Sequence, residues 1–398
     1  MRPSATSGLL QELARLLPMA RVGSFDHSWI GNDAARVQID VKDPVAIFQI
    51  LRAPRGLGLA RAWVSGQVDI SGDISLLTGL ENALTSPKLA MRLVETALRL
   101  LPKTGPGVLG QTGPTSIEFR GRPGRHSVKA DQREIDFHYS LPARYYSHVL
   151  GSSMTYSCGI FPNAVATLDQ AQSNKHSIVE RKLGLTTDSL LLDVGCGWGG
   201  LLAHAASHVG CRTIGVTASS GQYTFLASRV DGRRTMILYG DYRDVLPVRG
   251  VTSVASIGMY EHVGAAQSLE FFRRIRRTLP AGGRFLNQAI VHCTKSSKFR
   301  RNGFTQRYIF PNAHVLSLSH QLRDIQRAGM SVLAVETYGS HYASTLAHWR
   351  SNLEVNWHDC VALVGEPTAR AWRLYLAGAM NRFESGVVDV AQVLIEKR

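Results

Sequence analysis

Asp193 and the glycines that follow it form the densest cluster of chemically suggestive residues in the chain. The stretch runs Leu191, Leu192, Asp193, Val194 and then Gly195, Gly197, Gly199 and Gly200, with Cys196 and Trp198 between them. Apolar residues running into glycines describe a buried strand that ends in a tight turn, and the LLAHAASH after it has helical spacing. Glycine permits positive φ and lets a ligand approach closer than any Cβ would allow. In an open α/β sheet the ligand sits beyond the carboxyl ends of the strands, where this turn falls.

The G-x-G spacing is shared with NAD and FAD folds, and Gly200 fills the third-glycine position of that fingerprint. Trp198, in a slot that is usually small, and Asp193, inside the strand end, favour a different reading. They point to the first loop of an S-adenosylmethionine-dependent methyltransferase. Asp193 also has a plainer role open to it, as a strand-end carboxylate accepting backbone N–H groups.

Such a turn needs a sheet to hold it. Strands are expected at Leu190 to Asp193, Thr213 to Thr217, Arg234 to Tyr239, Val251 to Ile257 and Gly283 to Ile290. Helices fit between them at Leu201 to His208, Gln222 to Arg229 and Leu269 to Leu279. That alternation predicts an α/β, doubly wound, mostly parallel sheet of Rossmann-like, class I methyltransferase type, with a smaller N-terminal α+β domain. In the small domain, ARVQIDV and WVSGQVDISG read as strands, and Asp73 to Ala83 and Pro87 to Leu101 as helices. The Gly- and Pro-rich stretch 102–127 reads as a linker. The expected domains are therefore 1–101, for lipid or membrane docking, and 128–398, for catalysis.

Composition narrows the partners. The 398 residues, 44% of them hydrophobic, suffice for two cores. A formal charge of +15 points to an anionic partner, either nucleic acid or a membrane face. Five cysteines without a CxxC pair argue for a reducing compartment, no disulfide framework and no structural zinc, and no metal ligands are expected. No apolar run is long enough to span a bilayer, and MRPSATSGLLQELARLL reads as an amphipathic helix. The expected location is cytoplasmic and peripherally membrane-associated. A nucleic-acid methyltransferase would explain the charge, but the chain has neither an NPPY-type tetrapeptide nor paired pyrimidine-attacking cysteines, so no nucleic-acid partner is expected.

Further stretches sharpen the proposal. His138-Tyr139-Ser140 precedes Tyr145-Tyr146 and the MTYSC of Met154 to Cys158. VTASSGQ ends at Gln222, GDYRD covers Gly240 to Asp244, and SIGMYEHVG covers Ser256 to Gly264. QRYIFPN runs from Gln306 to Asn312, GSHYASTLAHWR from Gly339 to Arg350, and WRLYLAG from Trp372 to Gly378. This set, in this order, resembles the cyclopropane-fatty-acyl-phospholipid synthase family, related to the mycolic acid cyclopropane synthases, over nearly the whole chain.

The resemblance implies transfer of a methyl group from S-adenosylmethionine to the cis double bond of an unsaturated acyl chain of a phospholipid, closing a cyclopropane ring. It implies a bound bicarbonate as base, held by Cys158, Glu261, Gln288, Ile290 and Tyr342. Tyr308, with Tyr156, Phe310 and Tyr342, is a candidate to face the developing cation. On the cofactor side it implies Tyr156, Ser157, Asp193, Gly195 and Gly197. Thr217 and Gln222 follow the second strand, and Asp241 and Tyr242 would bracket the adenine. The partners implied are an unsaturated acyl lipid and an anionic membrane surface, with a homodimer left open.

Some residues depart from the family pattern. Gln288 stands where a histidine is usual; an amide can donate a hydrogen bond but cannot carry charge or relay a proton. Ala379 replaces a cysteine and cannot act as a nucleophile. Ser140 replaces an acid, and Ala143 an asparagine. These departures keep two alternatives alive: a methylene- or methyl-branched product, and a non-catalytic lipid- or cofactor-binding homologue.

Overall fold

The N-terminal alternation produces the strand it predicts. In Val37–Val41 the side chains of Val37, Ile39 and Val41 are buried and the two between them are not. A computed structural model describes residues 4–53, 56–74, 86–121, 127–230, 232–293, 303–311 and 313–398. The chain divides into two compact units, one made of Met1–Arg120, Arg301–Ile309 and Gly365–Asn381, the other of Gly121–Arg300, Phe310–Val364 and Arg382–Arg398.

The first unit holds a four-stranded sheet in the order β2-β1-β3-β4, with β1 Ala20–Ser24, β2 Trp29–Ile30, β3 Val37–Val41 and β4 Val68–Gly72. Only part of WVSGQVDISG is strand, because its first two residues close the helix Leu57–Val64. The expected helix at Asp73 to Ala83 lies mostly outside the described residues, as does Asn312. Later segments join this unit for a physical reason. The Arg370 guanidinium donates to the carbonyls of Trp63 and Val68 (3.0 and 3.2 Å) and to Asp69 (3.1 Å), and the Trp63 indole donates to the Arg370 carbonyl (2.8 Å).

Residues 102–104 and 106–111 of the expected linker are helical. The helix Pro87–Thr104 runs into it, and Pro106–Gln111 forms a short 3-10 helix. Side chains fasten the residues after that turn: Gln49 exchanges two hydrogen bonds with Gly113, and Arg61 forks onto Glu118 (2.8 and 2.8 Å). Residues 122–126 are outside the described set.

The second unit is built on a sheet ordered β11-β12-β9-β8-β5-β6-β7, to which β10 (Leu316–Ser317) adds beside β9. The strands β5 Leu190–Val194, β6 Arg212–Thr217, β7 Thr235–Tyr239, β8 Ser253–Ile257 and β9 Arg284–His292 are mutually parallel. These are the five expected strands, each within two residues at its ends. The last strand, β12 Val388–Glu396, was not anticipated; it inserts antiparallel between β9 and β11 Ser331–Thr337. The core on one face joins Leu192, Val254 and Phe285 of the sheet to Phe271, Phe272 and Ile275 of the helix Ser268–Thr278.

Candidate active site

The glycine turn lies where the sequence puts it, at the carboxyl end of β5. Gly195 and Gly197 have φ of +84° and +56°, the left-handed region that favours glycine. A Cβ on Gly197 would meet nothing within 4 Å, so the turn opens onto space. That space is a cleft of about 480 Å³, including its part open to solvent, lined by Tyr156, Ser157, Asp193, Gly195, Gly197 and Gln222 among others. Six of the nine expected cofactor residues therefore share one cleft. Thr217 stands behind it: its hydroxyl donates to the Gln222 amide oxygen (2.8 Å), which leaves the amide NH₂ as the end able to donate to a ligand.

Asp241 and Tyr242 are not among the residues lining that cleft. The Asp241 carboxylate caps its own helix turn and is gripped by Arg243, through Nε at 2.8 Å and a terminal nitrogen at 2.6 Å. Tyr242 packs edge-on against Phe271 (5.4 Å between ring centroids) and joins the core.

Lys175 is a participant that sequence reasoning missed. It lies on the buried face of the helix Leu168–Leu183, lines the cleft, and donates to the Ser157 hydroxyl (3.1 Å). Burial lowers its pKa to about 8, and burial raises that of Asp193 to about 7, with the charge of each opposing the shift in the other. The available signal was spacing, because Leu168, Ala171, Lys175, Val179 and Leu183 form one helical stripe. Gln172 on the same face holds the MTYSC loop by donating to the Ser157 carbonyl (2.8 Å).

A second group gathers around the end of β9. The ladder with β8 stops at Gln288, and Glu261 takes over by accepting the Ile290 N–H at 2.7 Å. Its other oxygen, Oε2, is buried and has no hydrogen-bond partner among the described residues. Burial raises Glu261 to about 7, against the lowering effect of the Ile290 bond. Ile290 pairs with Val390, and the Val390 carbonyl accepts from the Tyr338 N–H (2.8 Å). The Tyr338 carbonyl in turn accepts from both the Tyr342 N–H (3.1 Å) and the Cys158 thiol (3.6 Å). The β9–β12 pairing and these bonds thus bring Glu261, Ile290, Tyr342 and Cys158 into one neighbourhood. Burial pushes the Cys158 thiol far above its ordinary range, so it is a neutral S–H donor and not a thiolate.

Aromatic rings connect the two groups. Tyr156 lies 5.2 Å from Trp349, which lies 5.9 Å from Tyr342, itself 4.7 Å from Phe383. Phe310 stacks 6.4 Å from Tyr156 and 4.0 Å from His138. Tyr308 belongs to the first unit, where its hydroxyl contacts Thr115 (3.1 Å) and Glu118 (3.3 Å).

The family model described as mycolic acid cyclopropane synthetase matches residues 126–393. The chain belongs to that family and is an S-adenosylmethionine-dependent methyltransferase of it. It is 36% identical over 390 residues to "Probable fatty acid methyltransferase Rv3720" of Mycobacterium tuberculosis, covering 94% of this chain and 90% of that protein. It is 33% identical over 381 residues to a Pseudomonas putida protein of the same description, covering 93% and 90%. Among solved structures, the mycolic acid cyclopropane synthase CmaA1 complexed with SAH and CTAB matches with a TM-score of 0.63 and 28% identity, over 67% of this chain and 98% of that one.

Proposed function

We propose that the protein transfers a methyl group from S-adenosylmethionine to the double bond of an unsaturated phospholipid acyl chain, closing a cyclopropane ring. The observation that carries this reading is the aromatic series Tyr156–Trp349–Tyr342, which leads from the cofactor cleft to the Glu261 group. The cofactor, when bound, supplies an electrophilic methyl on a sulfonium. The chain's residues supply the rest. An alkene is a poor nucleophile, so it must be held in line with that methyl and kept dry, where orientation alone contributes about 7–11 kcal/mol. Positive charge then develops on the acyl chain, and electron-rich ring faces that cannot attack it suit that charge, at about 2 kcal/mol or more when desolvated.

Ring closure requires loss of a proton from the new methyl group. Glu261 fits the holding of a small oxyanion such as bicarbonate, since its Oε2 is buried with no partner among the described residues and its raised pKa lets it keep a proton to donate. The Ile290 N–H is already taken by Glu261 and reaches such an ion only through it. Bicarbonate, when bound, would supply the proton acceptor.

Gln288 favours a second reading. An amide where the family has a histidine holds an anion more weakly and shuttles no proton, so a methylene-branched chain can replace the ring. Membrane contact belongs to the same proposal. Among the described residues no helix is long and apolar enough to cross a bilayer, while the basic charge suits an anionic surface.

The test is release of S-adenosylhomocysteine on vesicles of unsaturated against fully saturated phosphatidylglycerol. Turnover on the unsaturated vesicles alone supports the reading, and equal turnover on both contradicts it.

A further inference from the structure

The Gln288 side chain belongs to a polar row that crosses the sheet. Ile257 of β8 pairs with Gln288 of β9, Gln288 with Gln392 of β12, and Gln392 with Glu336 of β11. Residues in register project to the same face, and Ile257, at the inner end of the row, lines the cofactor cleft. Lys182, from the helix Leu168–Leu183, caps the outer end. Its Nζ donates to Gln392 Oε1 at 2.7 Å and pairs with the Glu336 carboxylate. Gln392 Nε2 then donates to Gln288 Oε1 at 2.8 Å. Both glutamines are buried.

Amide oxygen and nitrogen are alike in shape, so their assignment has to come from partners. Here the partner decides it. An ammonium has three donors and no acceptor, so Gln392 must turn its oxygen to Lys182. Its NH₂ then faces Gln288, which must answer with its own oxygen. The Gln288 NH₂ is left pointing away from Gln392, and among the described residues it donates to no protein atom.

We propose that Lys182, acting through Gln392, is a positioning residue that locks the Gln288 amide with its NH₂ toward the reaction pocket. Gln288 thereby becomes a fixed donor for an oxyanion of the carbonate or carboxylate class, replacing histidine's charge with enforced polarity. This rests on the proposed function for the role of the pocket, not for the order of the bonds. The row moves no proton, because its members hold their hydrogens in one arrangement.

The test is Gln392→Glu. A carboxylate keeps the Lys182 pair and the bond to Gln288, but it only accepts, so Gln288 must turn its NH₂ outward and present oxygen to the pocket. Bicarbonate affinity is read by carbon-13 NMR titration with S-adenosylhomocysteine present, and kcat and the cofactor KM are read on unsaturated vesicles. The expected result is bicarbonate binding weakened by about tenfold or more and kcat lowered, with cofactor KM within about threefold and Tm not reduced. Lys182→Met, which frees Gln392 to flip, gives a loss in the same direction.

In a Gln288→Ala background both substitutions shift bicarbonate affinity by less than about threefold, because the group they act through is gone. Affinity within threefold of the parent for Gln392→Glu, equal loss in both backgrounds, or no bicarbonate binding by the parent chain would each overturn the inference. Absent turnover with the binding pattern intact would instead sink the proposed function and leave the orientation standing.

Discussion

Glu261 is the residue on which most depends, and its burial makes a prediction that needs no substrate. Its folded pKa of about 7 lies above the ordinary 4.5, so the folded state binds the proton more tightly than the unfolded chain does. The stability this confers is full below about pH 4.5 and is lost as pH rises through 7, by an amount of order 3 kcal/mol. Glu261→Gln lacks that loss. Its melting temperature relative to the parent is expected to rise between pH 5 and pH 8 and then level off, whereas a constant offset would mean Glu261 is not buried as described. The same substitution is expected to lower methyl transfer at least about a hundredfold with S-adenosylhomocysteine affinity held within a few fold. Gly197→Ala tests the other group. A side chain at φ +56° costs about 1–2 kcal/mol, and its methyl enters the open space of the cleft. Calorimetric titration is expected to show S-adenosylhomocysteine bound at least about tenfold more weakly, and unchanged affinity would remove this turn from the cofactor site.

At the scale of elements, local signals were legible and distant pairings were not. The strand-to-glycine turn is written in adjacent residues, because only glycine adopts its backbone freely, and Leu190–Val194 forms as expected. The strand β12 is largely apolar and mostly buried, yet nothing near Val388 says that it will sit between β9 and β11. Tyr242 was drawn toward the site by motif, but the structure gives it to the core, while Tyr308 bonds to Glu118 within the first unit. Lys175 escaped because a charged side chain in a helix is ordinarily read as solvated. The N-terminal amphipathic helix Ser7–Leu16 buries Leu9 and Leu10 in its own unit. The helix Pro87–Thr104, by contrast, leaves an apolar stripe exposed. Met91, Val94, Leu98 and Leu101 are 60%, 48%, 66% and 38% exposed, and recur at helical spacing beside Lys88, Arg92, Arg99 and Lys103. An apolar stripe edged with basic residues fits the plane of an anionic bilayer. Met91→Glu combined with Leu98→Glu is expected to weaken sedimentation with anionic vesicles by about tenfold or more while leaving Tm within a few degrees. Undiminished sedimentation would contradict the proposed membrane contact through this helix.

For the whole molecule, the chain is an S-adenosylmethionine-dependent methyltransferase of its family, and the lipid acceptor, the site residues and the fate of the methyl group are what is proposed. The excess of basic residues predicts that activity on anionic vesicles falls steeply with added salt, since exposed charges are screened over about 8 Å at physiological ionic strength. A flat salt response would detach the charge from lipid recognition. The most direct measurement of the central claim uses S-adenosylmethionine carrying a trideuterated methyl group, with unsaturated phospholipid vesicles as acceptor, followed by mass spectrometry of the acyl chains. The account predicts one added carbon at the former double bond that keeps two of the three deuteriums, the third having left as the abstracted proton, with fragmentation separating ring from branch. Label found on the headgroup, or absent from the lipid while the cofactor is consumed, would contradict it.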